Sequence, residues 1–426
     1  MRRWMLLALL VCGVAAHAGG QTTGAQEVGK DRVWVGSWAS SQQVPEAWNS
    51  LAPGDMTDMT MREIFHLSLG GQTVRVRLSN AFGREPLHFA SVHIARALSA
   101  ASSAIDPVTD RAVTFAGSPE VTVPAGAEYL SDPVELAVAP LSNVAVTFYL
   151  DLAPVGETGH PGSRETTYVV HGDHVADRVM PDAKKVDHWY EVSGVDVLAP
   201  KGAADVVVLG DSITDGHAST TNGNDRWTDV LAERLQANAA TREIGVLNEG
   251  IGGNHLLTDG LGPNALARFN RDVLAQAGVH WLIVFEGVND LGRLARGKNA
   301  PSAEHALLVH EIEAAYGQIV ARAHAAGIEV IGATITPWVG SDYYHPGPRS
   351  EADREAVNQW IRMPGHFDAV LDLDKVMRDP ADHERLRPAY DSGDHLHPSP
   401  KGYRAMGEAV RLELFHELSG ELGGAR

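Results

Sequence analysis

The chain has 426 residues, 44% of them apolar and 21% charged, with a formal net charge of −19. That length suits two domains with sizeable cores, and the composition excludes disordered and low-complexity classes. An acid excess of this size repels polyanions, which argues against nucleic acid and anionic membranes as partners and favours a soluble neutral or weakly charged ligand.

Arg2 and Arg3 precede an unbroken apolar run from Trp4 to Ala16, and Ala16-His17-Ala18 fits a small-x-small cleavage site. The pattern predicts a signal peptide over residues 1–18, a mature chain from Gly19, and a secreted or periplasmic location. The run is short for a membrane span, and no later stretch is long and apolar enough to be one, so no stable membrane anchor is expected. The Arg2-Arg3 pair lacks the wider context of a twin-arginine signal. Cys12, the one cysteine, lies inside the run, and bulky Val11 before it argues against lipid attachment. Without residues 1–18 the chain has no disulfide and no thiolate metal site. Its charge is then near −21, because those residues carry two arginines and no acids.

Residues 19–32 read as a linker. From Val33 to about Pro200 the signals are those of strands: Thr73–Leu78 and Asn143–Leu150 alternate as half-buried strands do, with further runs at His88–Ile94, Glu120–Val123 and Tyr168–His171. Turn signals such as Gly70-Gly71, Asn80-Ala81-Phe82-Gly83 and Pro124-Ala125-Gly126 separate them. With no long helical period between them, residues 33–200 are expected to form an all-β sandwich of jelly-roll type. From Ala203 to about residue 420 the rhythm is strand, loop, helix. Apolar runs fall at Val206–Leu209, Gly245–Leu247, Trp281–Phe285, Val330–Ala333 and Ala369–Leu373. Helical patterns fall at Trp227–Ala239, Ala303–Ala326, Glu351–Ile361 and about Lys401–Leu418. Short buried runs alternating with amphipathic helices predict a parallel α/β sheet covered on both faces.

Four pieces of this second half carry chemistry, each just past an apolar run or before the last helix. Gly210-Asp211-Ser212-Ile213-Thr214 puts a hydroxyl at the sheet edge where open α/β sheets bind ligands. Alone it reads as a turn or cap serine, and with Thr214 in place of a second glycine it is no α/β-hydrolase elbow. Asn248-Glu249-Gly250-Ile251-Gly252-Gly253-Asn254 lets backbone N–H groups approach a ligand, although a tight turn has the same look. Gly287-Val288-Asn289-Asp290 offers an amide donor, or an ordinary Asx turn. Asp394-His395-Leu396-His397-Pro398 spaces a carboxylate and an imidazole so that one can hold the other. The rival there is a metal set of Asp391, Asp394, His395 and His397, but no Cys and no second ligand motif supports it. Together, in this order, the pieces supply a nucleophile, oxyanion donors, a base and an orienter.

On these four stretches, residues 205–415 resemble the SGNH, or GDSL-type, hydrolase superfamily. The resemblance implies a flavodoxin-like three-layer α/β/α fold and carboxylic ester hydrolysis through an acyl-enzyme, with no cofactor and no metal. By position, Ser212 would be the nucleophile, His397 the base and Asp394 its orienter. The oxyanion donors would be the Ser212 and Gly253 N–H groups and the Asn289 side chain. Gly253 is preferred to Gly252 because it directly precedes Asn254, where the family's pattern commonly has a small polar residue. His395 is an extra imidazole that the three-residue spacing sets aside. The whole chain, with its N-terminal β half, resembles secreted bacterial members of the superfamily, among which two-domain carbohydrate esterases pair a jelly-roll with this fold.

The expected partner is an ester, with a short acyl group such as acetyl on a carbohydrate. The loop Thr336 to Ser350 follows the fourth strand, and its Trp338, Tyr343 and Tyr344 are candidates to line the substrate pocket or to pack the loop on the core. Trp227 has the same two readings, tilted to the core. The alternatives are a lipolytic esterase or lysophospholipase with the same triad, and a glycan-binding protein whose hydrolase half is idle. A nucleotide-binding flavodoxin-like protein is disfavoured, because Asp211 and Asp215 flank the loop that would cradle phosphate.

Overall fold

The computed structural model describes residues 31–296 and 300–415. The expected signal peptide, and residues 19–30 of the expected linker, lie outside this range. Arg32, placed in that linker, already opens a strand, Arg32–Ala39.

The N-terminal half is built from strands because apolar and polar residues alternate along it. In Gly71–Ser79 the side chains of Val74, Val76 and Leu78 are buried. This strand pairs antiparallel with Val192–Pro200, which pairs antiparallel with Arg32–Ala39. Glu128–Leu130 and Val134–Val138 complete this sheet on the other side of Gly71–Ser79. A second antiparallel sheet runs Lys184–Val186, Thr167–His171, Met59–Leu67, Ser142–Leu150, Ser91–Arg96, Arg111–Ala112. The two sheets share one apolar core: Trp38 of the first stacks on Phe65 of the second, with ring centroids 3.8 Å apart. The single run expected over His88–Ile94 is two strands, Leu87–Phe89 and Ser91–Arg96.

From Ala204 the chain forms five parallel strands in the order Ile244–Gly250, Ala204–Gly210, Val279–Phe285, Glu329–Ala333, Ala369–Leu371. Numbered along the chain this is 2-1-3-4-5, the doubly wound order whose ligand crevice opens beside strand 1, where the winding reverses. Val206 and Val208 pack on one face with the helices Trp227–Ala237 and Pro400–Ala409. Val207 and Leu209 pack on the other with Ser302–Ala325 and Pro348–Arg362. A strand buried on both faces needs helices on both, hence three layers. The helix expected from about Lys401 to Leu418 breaks at Ala409, and residues from 416 onward lie outside the described range. Val410 turns extended into the core, and Arg234 Nη1 donates to the carbonyls of Gly407 and Val410, satisfying the helix end at that point.

The β half covers one edge of the parallel sheet. Gly36 N–H donates to the buried Asp205 carboxylate at 2.6 Å, and Val246 N–H donates to Ser68 Oγ at 3.0 Å. An exposed strand edge would be a template for aggregation, and here it is closed by the first half of the same chain. Among the described residues no helix is long and apolar enough to cross a membrane.

Candidate active site

Ser212 is the first residue of a single helical turn, Ser212–Asp215, directly after the central strand. Asp211 caps that turn, its Oδ1 accepting from Ile213 N–H at 2.9 Å. This fixes the Ser212 backbone at the carboxyl edge of the sheet. Burial pushes the Asp211 carboxyl well above the usual carboxylate range, with Asp290 and Asp215 nearby adding to the rise and the Ile213 N–H bond opposing it.

The Ser212 hydroxyl meets His397 Nε2 at 2.8 Å, and His397 Nδ1 meets Asp394 Oδ2 at 2.6 Å. The other carboxylate oxygen of Asp394 accepts from the N–H groups of His397 (2.8 Å) and Leu396 (3.0 Å) and from Ser392 Oγ. Partial burial raises the Asp394 pKa, but the hydrogen bonds and charge of His397 outweigh it and hold the carboxyl well below its ordinary value. It is thus a fixed anion that orients the imidazole. His395 faces the other way: its ring pairs with Asp391 on the exposed side of the loop. The four candidate metal ligands of this loop therefore form two separate pairs. Beside the serine, ligand-capable atoms of His217, Asp394 and His397 gather, and of these His397 bonds Ser212 while Asp394 bonds His397.

Asn289 lies in the first turn of the helix Val288–Ala295, after the third parallel strand. Its Nδ2 donates to Asn254 O at 2.7 Å, and its Oδ1 accepts from Tyr344 Oη. Asn254 uses only one of the two amide protons, and Asn289 borders the pocket. Gly253 has φ +66°, a left-handed conformation that favours glycine. Neither its N–H nor that of Ser212 has an acceptor among the described residues. Behind this loop Asp290 accepts from Leu256 and Leu257 N–H. Arg268, fully buried, donates to Asn254 Oδ1, Glu249 O and Gly210 O, tying two of the four expected stretches to one guanidinium.

Ser212, Gly253, Asn289 and His397 line one open pocket of about 500 Å³. Of the aromatic candidates, Tyr343 is 46% exposed and packs edge-on to the His397 ring. Tyr344 lines the pocket too, but its hydroxyl is taken by Asn289. Trp338 does not line it. Its ring is completely buried, and Nε1 donates to Glu351 at 3.0 Å, so it packs the loop on the core. Trp227 is likewise a core residue.

Sequence reasoning missed two contributors. One is His217, whose ring lies over His397 with centroids 4.0 Å apart. Burial, together with the neighbouring His397 and Arg164, lowers its pKa to about 4, so it is a neutral partner. The other is the β half itself, whose Gln43, Glu46, Asn49, Pro161, Gly162 and Arg164 form a wall of the pocket. No local motif marks these residues. The nearest signal is the Pro161-Gly162 turn, which is common in any β protein.

Residues 208–405 match the family described as GDSL-like Lipase/Acylhydrolase. Among solved structures, the acetyl xylan esterase AlAXEase is 20% identical over 48% of this chain and 96% of its own, with a TM-score of 0.37. The acetylxylan esterase Axe2 from Geobacillus stearothermophilus is 21% identical over 50% of this chain and 94% of its own, at 0.36. A GDSL-like lipase from Bacteroides thetaiotaomicron VPI-5482 is 18% identical over 51% and 90%, at 0.37. No curated protein matches the chain.

Proposed function

Because residues 208–405 are a domain of the GDSL-like lipase/acylhydrolase family, we propose that this protein is a serine esterase that cleaves carboxylic esters through an acyl-enzyme. The observation that carries the reading is the unbroken hydrogen-bonded chain from Ser212 through His397 to Asp394. His397 takes the hydroxyl proton as Ser212 Oγ attacks the ester carbonyl. The negative charge that develops on the carbonyl oxygen is met by the N–H groups of Ser212 and Gly253 and by the Asn289 amide. His397 then returns the proton to the leaving alcohol, and water repeats the sequence on the acyl-enzyme.

A short acyl group, such as acetyl on a carbohydrate, is favoured over a long chain. The pocket wall mixes polar groups such as Gln43, Asn49 and Arg164 with the apolar surface of Pro161, Leu261, Leu396 and the two tyrosines, a mixture that suits a polar alcohol better than a long acyl chain. In the same reading the β half is a jelly-roll-like sandwich, and residues 1–18 direct export.

The test is a chain-length series of p-nitrophenyl esters, acetate through palmitate, with Ser212→Ala as control. A rate that peaks at acetate and falls about 10⁴–10⁶-fold in the control is expected. Activity retained in Ser212→Ala refutes the mechanism, and a peak at palmitate moves the substrate to lipids. Failure of a fluorophosphonate to label Ser212 would return the chain to the glycan-binding alternative.

A further inference from the structure

The pocket wall supplied by the β half carries one cation whose charge is left uncompensated. Arg164 lines the same pocket as Ser212 and His397. Its backbone is left-handed, φ +51°, and its carbonyl accepts from Asn222 N–H at 2.8 Å, which ties the residue to the catalytic half. Nη2 donates to His217 Nδ1 at 3.2 Å, and Nε is buried with no partner. A donor to Nδ1 leaves His217 neutral, so this contact does not offset the charge.

Arg164 is half-buried, and the more deeply buried guanidinium groups differ from it. Arg226 has Asp229, Arg268 has Asp272 and Glu286, and Arg354 has Glu351 and Asp374. Arg62 has four oxygen acceptors. Among the described residues Arg164 forms no ion pair. The acids on its pocket are engaged elsewhere: Asp215 with His160 at 2.9 Å, and Glu46 with Gln43 and Asn49. A guanidinium with a buried, unpaired Nε and no anion beside it is costly, and at the wall of a binding cleft an anionic ligand group can satisfy it.

Its position also says which part of the ligand. Arg164 touches His217, and His217 stacks on the His397 ring, so the guanidinium lies on the side of the base. The leaving oxygen must approach His397 Nε2, while the carbonyl oxygen turns to Gly253 and Asn289. We propose that Arg164 binds an anionic group, a carboxylate or a phosphate, on the alcohol half of the ester. This assignment rests on the serine-esterase reading above. It makes the β half a specificity element of the site, and makes an acidic alcohol the substrate class.

The test compares three aryl acetates on the full chain: methyl 4-acetoxybenzoate, 4-acetoxybenzoate and 4-acetoxyphenyl phosphate. The quantity read is the ratio of kcat/KM for each anionic ester to that for the neutral one. Arg164→Gln should lower this ratio about tenfold or more, and Arg164→Lys should lower it less. The anion whose ratio falls further identifies carboxylate or phosphate as the native group. A ratio within twofold of wild type in Arg164→Gln overturns the proposal. Should that variant fail to fold, the wild-type ratio should drop between 0.05 M and 0.5 M salt, and a flat ratio overturns the proposal equally. Failure of the esterase reading is distinct: the neutral ester would also be inert and Ser212 would resist a fluorophosphonate. Calorimetry of 4-hydroxybenzoate and 4-hydroxyphenyl phosphate against methyl 4-hydroxybenzoate, on wild type and Arg164→Gln, then decides Arg164 alone. An Arg164-dependent preference for either anion supports it, and its absence overturns it.

Discussion

Tyr344→Phe separates a substrate-binding tyrosine from one that positions the oxyanion donor. The Tyr344 hydroxyl donates to Asn289 Oδ1, and Asn289 is almost wholly buried. Removing the hydroxyl leaves a buried acceptor unpaired and lets the amide swing. That costs about 1–2 kcal/mol, equivalent to a fall in kcat of about 5- to 30-fold. KM should change little, because no substrate contact is lost. Asn289→Ala removes the donor itself and should cost about 10²–10³ in kcat. If Tyr344 acts only through Asn289, adding Tyr344→Phe to Asn289→Ala should have almost no further effect. Burial, and then the nearby Asp211, push the Tyr344 pKa up to about 12, so the loss should be constant across the assay range below pH 10. The assay is steady-state hydrolysis of p-nitrophenyl acetate by the two single variants and the double. A rise in KM at constant kcat, or additive losses in the double, refutes the argument and returns Tyr344 to substrate binding.

Four further outcomes are expected. In Gly292→Ala the new methyl would stand 2.4 Å from the Tyr344 ring, so the ring must move and kcat should fall at least as far as in Tyr344→Phe. Asp394→Asn should lower kcat by about 10⁴ with the fold intact by circular dichroism, because the imidazole loses its anion and its tautomer. Glu165, buried with both carboxyl oxygens unpaired, has its pKa raised by burial from 4.5 to about 8, with Arg226 opposing the rise. The folded chain keeps a proton that the unfolded chain releases, so stability falls as pH rises from about 4.5 to about 8. Glu165→Gln should therefore gain a few kcal/mol over wild type in urea melts at pH 8 and nothing at pH 4.5. Trp338→Ala should cost about 3–5 kcal/mol of stability, as an emptied core site does. Were Trp338 a substrate contact, KM would rise instead with stability unchanged.

How much was legible in advance followed from how local each signal is. The five apolar runs of the second half are parallel strands because an unbroken run such as Val206–Leu209 can be buried only on two faces at once. The β half was legible where strands alternate, as in Gly71–Ser79. It was less so in Met59–Leu67, where Arg62 and Glu63 break the pattern yet are buried. Arg62 is satisfied there by Thr147, Ser103 O, Val175 O and Asp177 O, all distant in sequence. The break at Ala409 has no local signal for the same reason, since the carbonyls there are satisfied by Arg234 on another helix.

By itself the sequence determined the order of the groups proposed to react, because each sits within a few residues of a strand end or of its partner. Asp394 and His397, three residues apart, need only their own loop to pair. Contacts between distant segments were decided by the tertiary structure alone. It turned Tyr344 to Asn289 and buried Trp338 against Glu351, although both aromatics share one loop. It also brought Arg164 of the β half to His217, 53 residues on, beside His397. Which hydroxyl is proposed as the nucleophile is written in local spacing. Which ester can reach it depends on how the two halves close on each other, and that is set by packing of the sheet edge rather than by any motif.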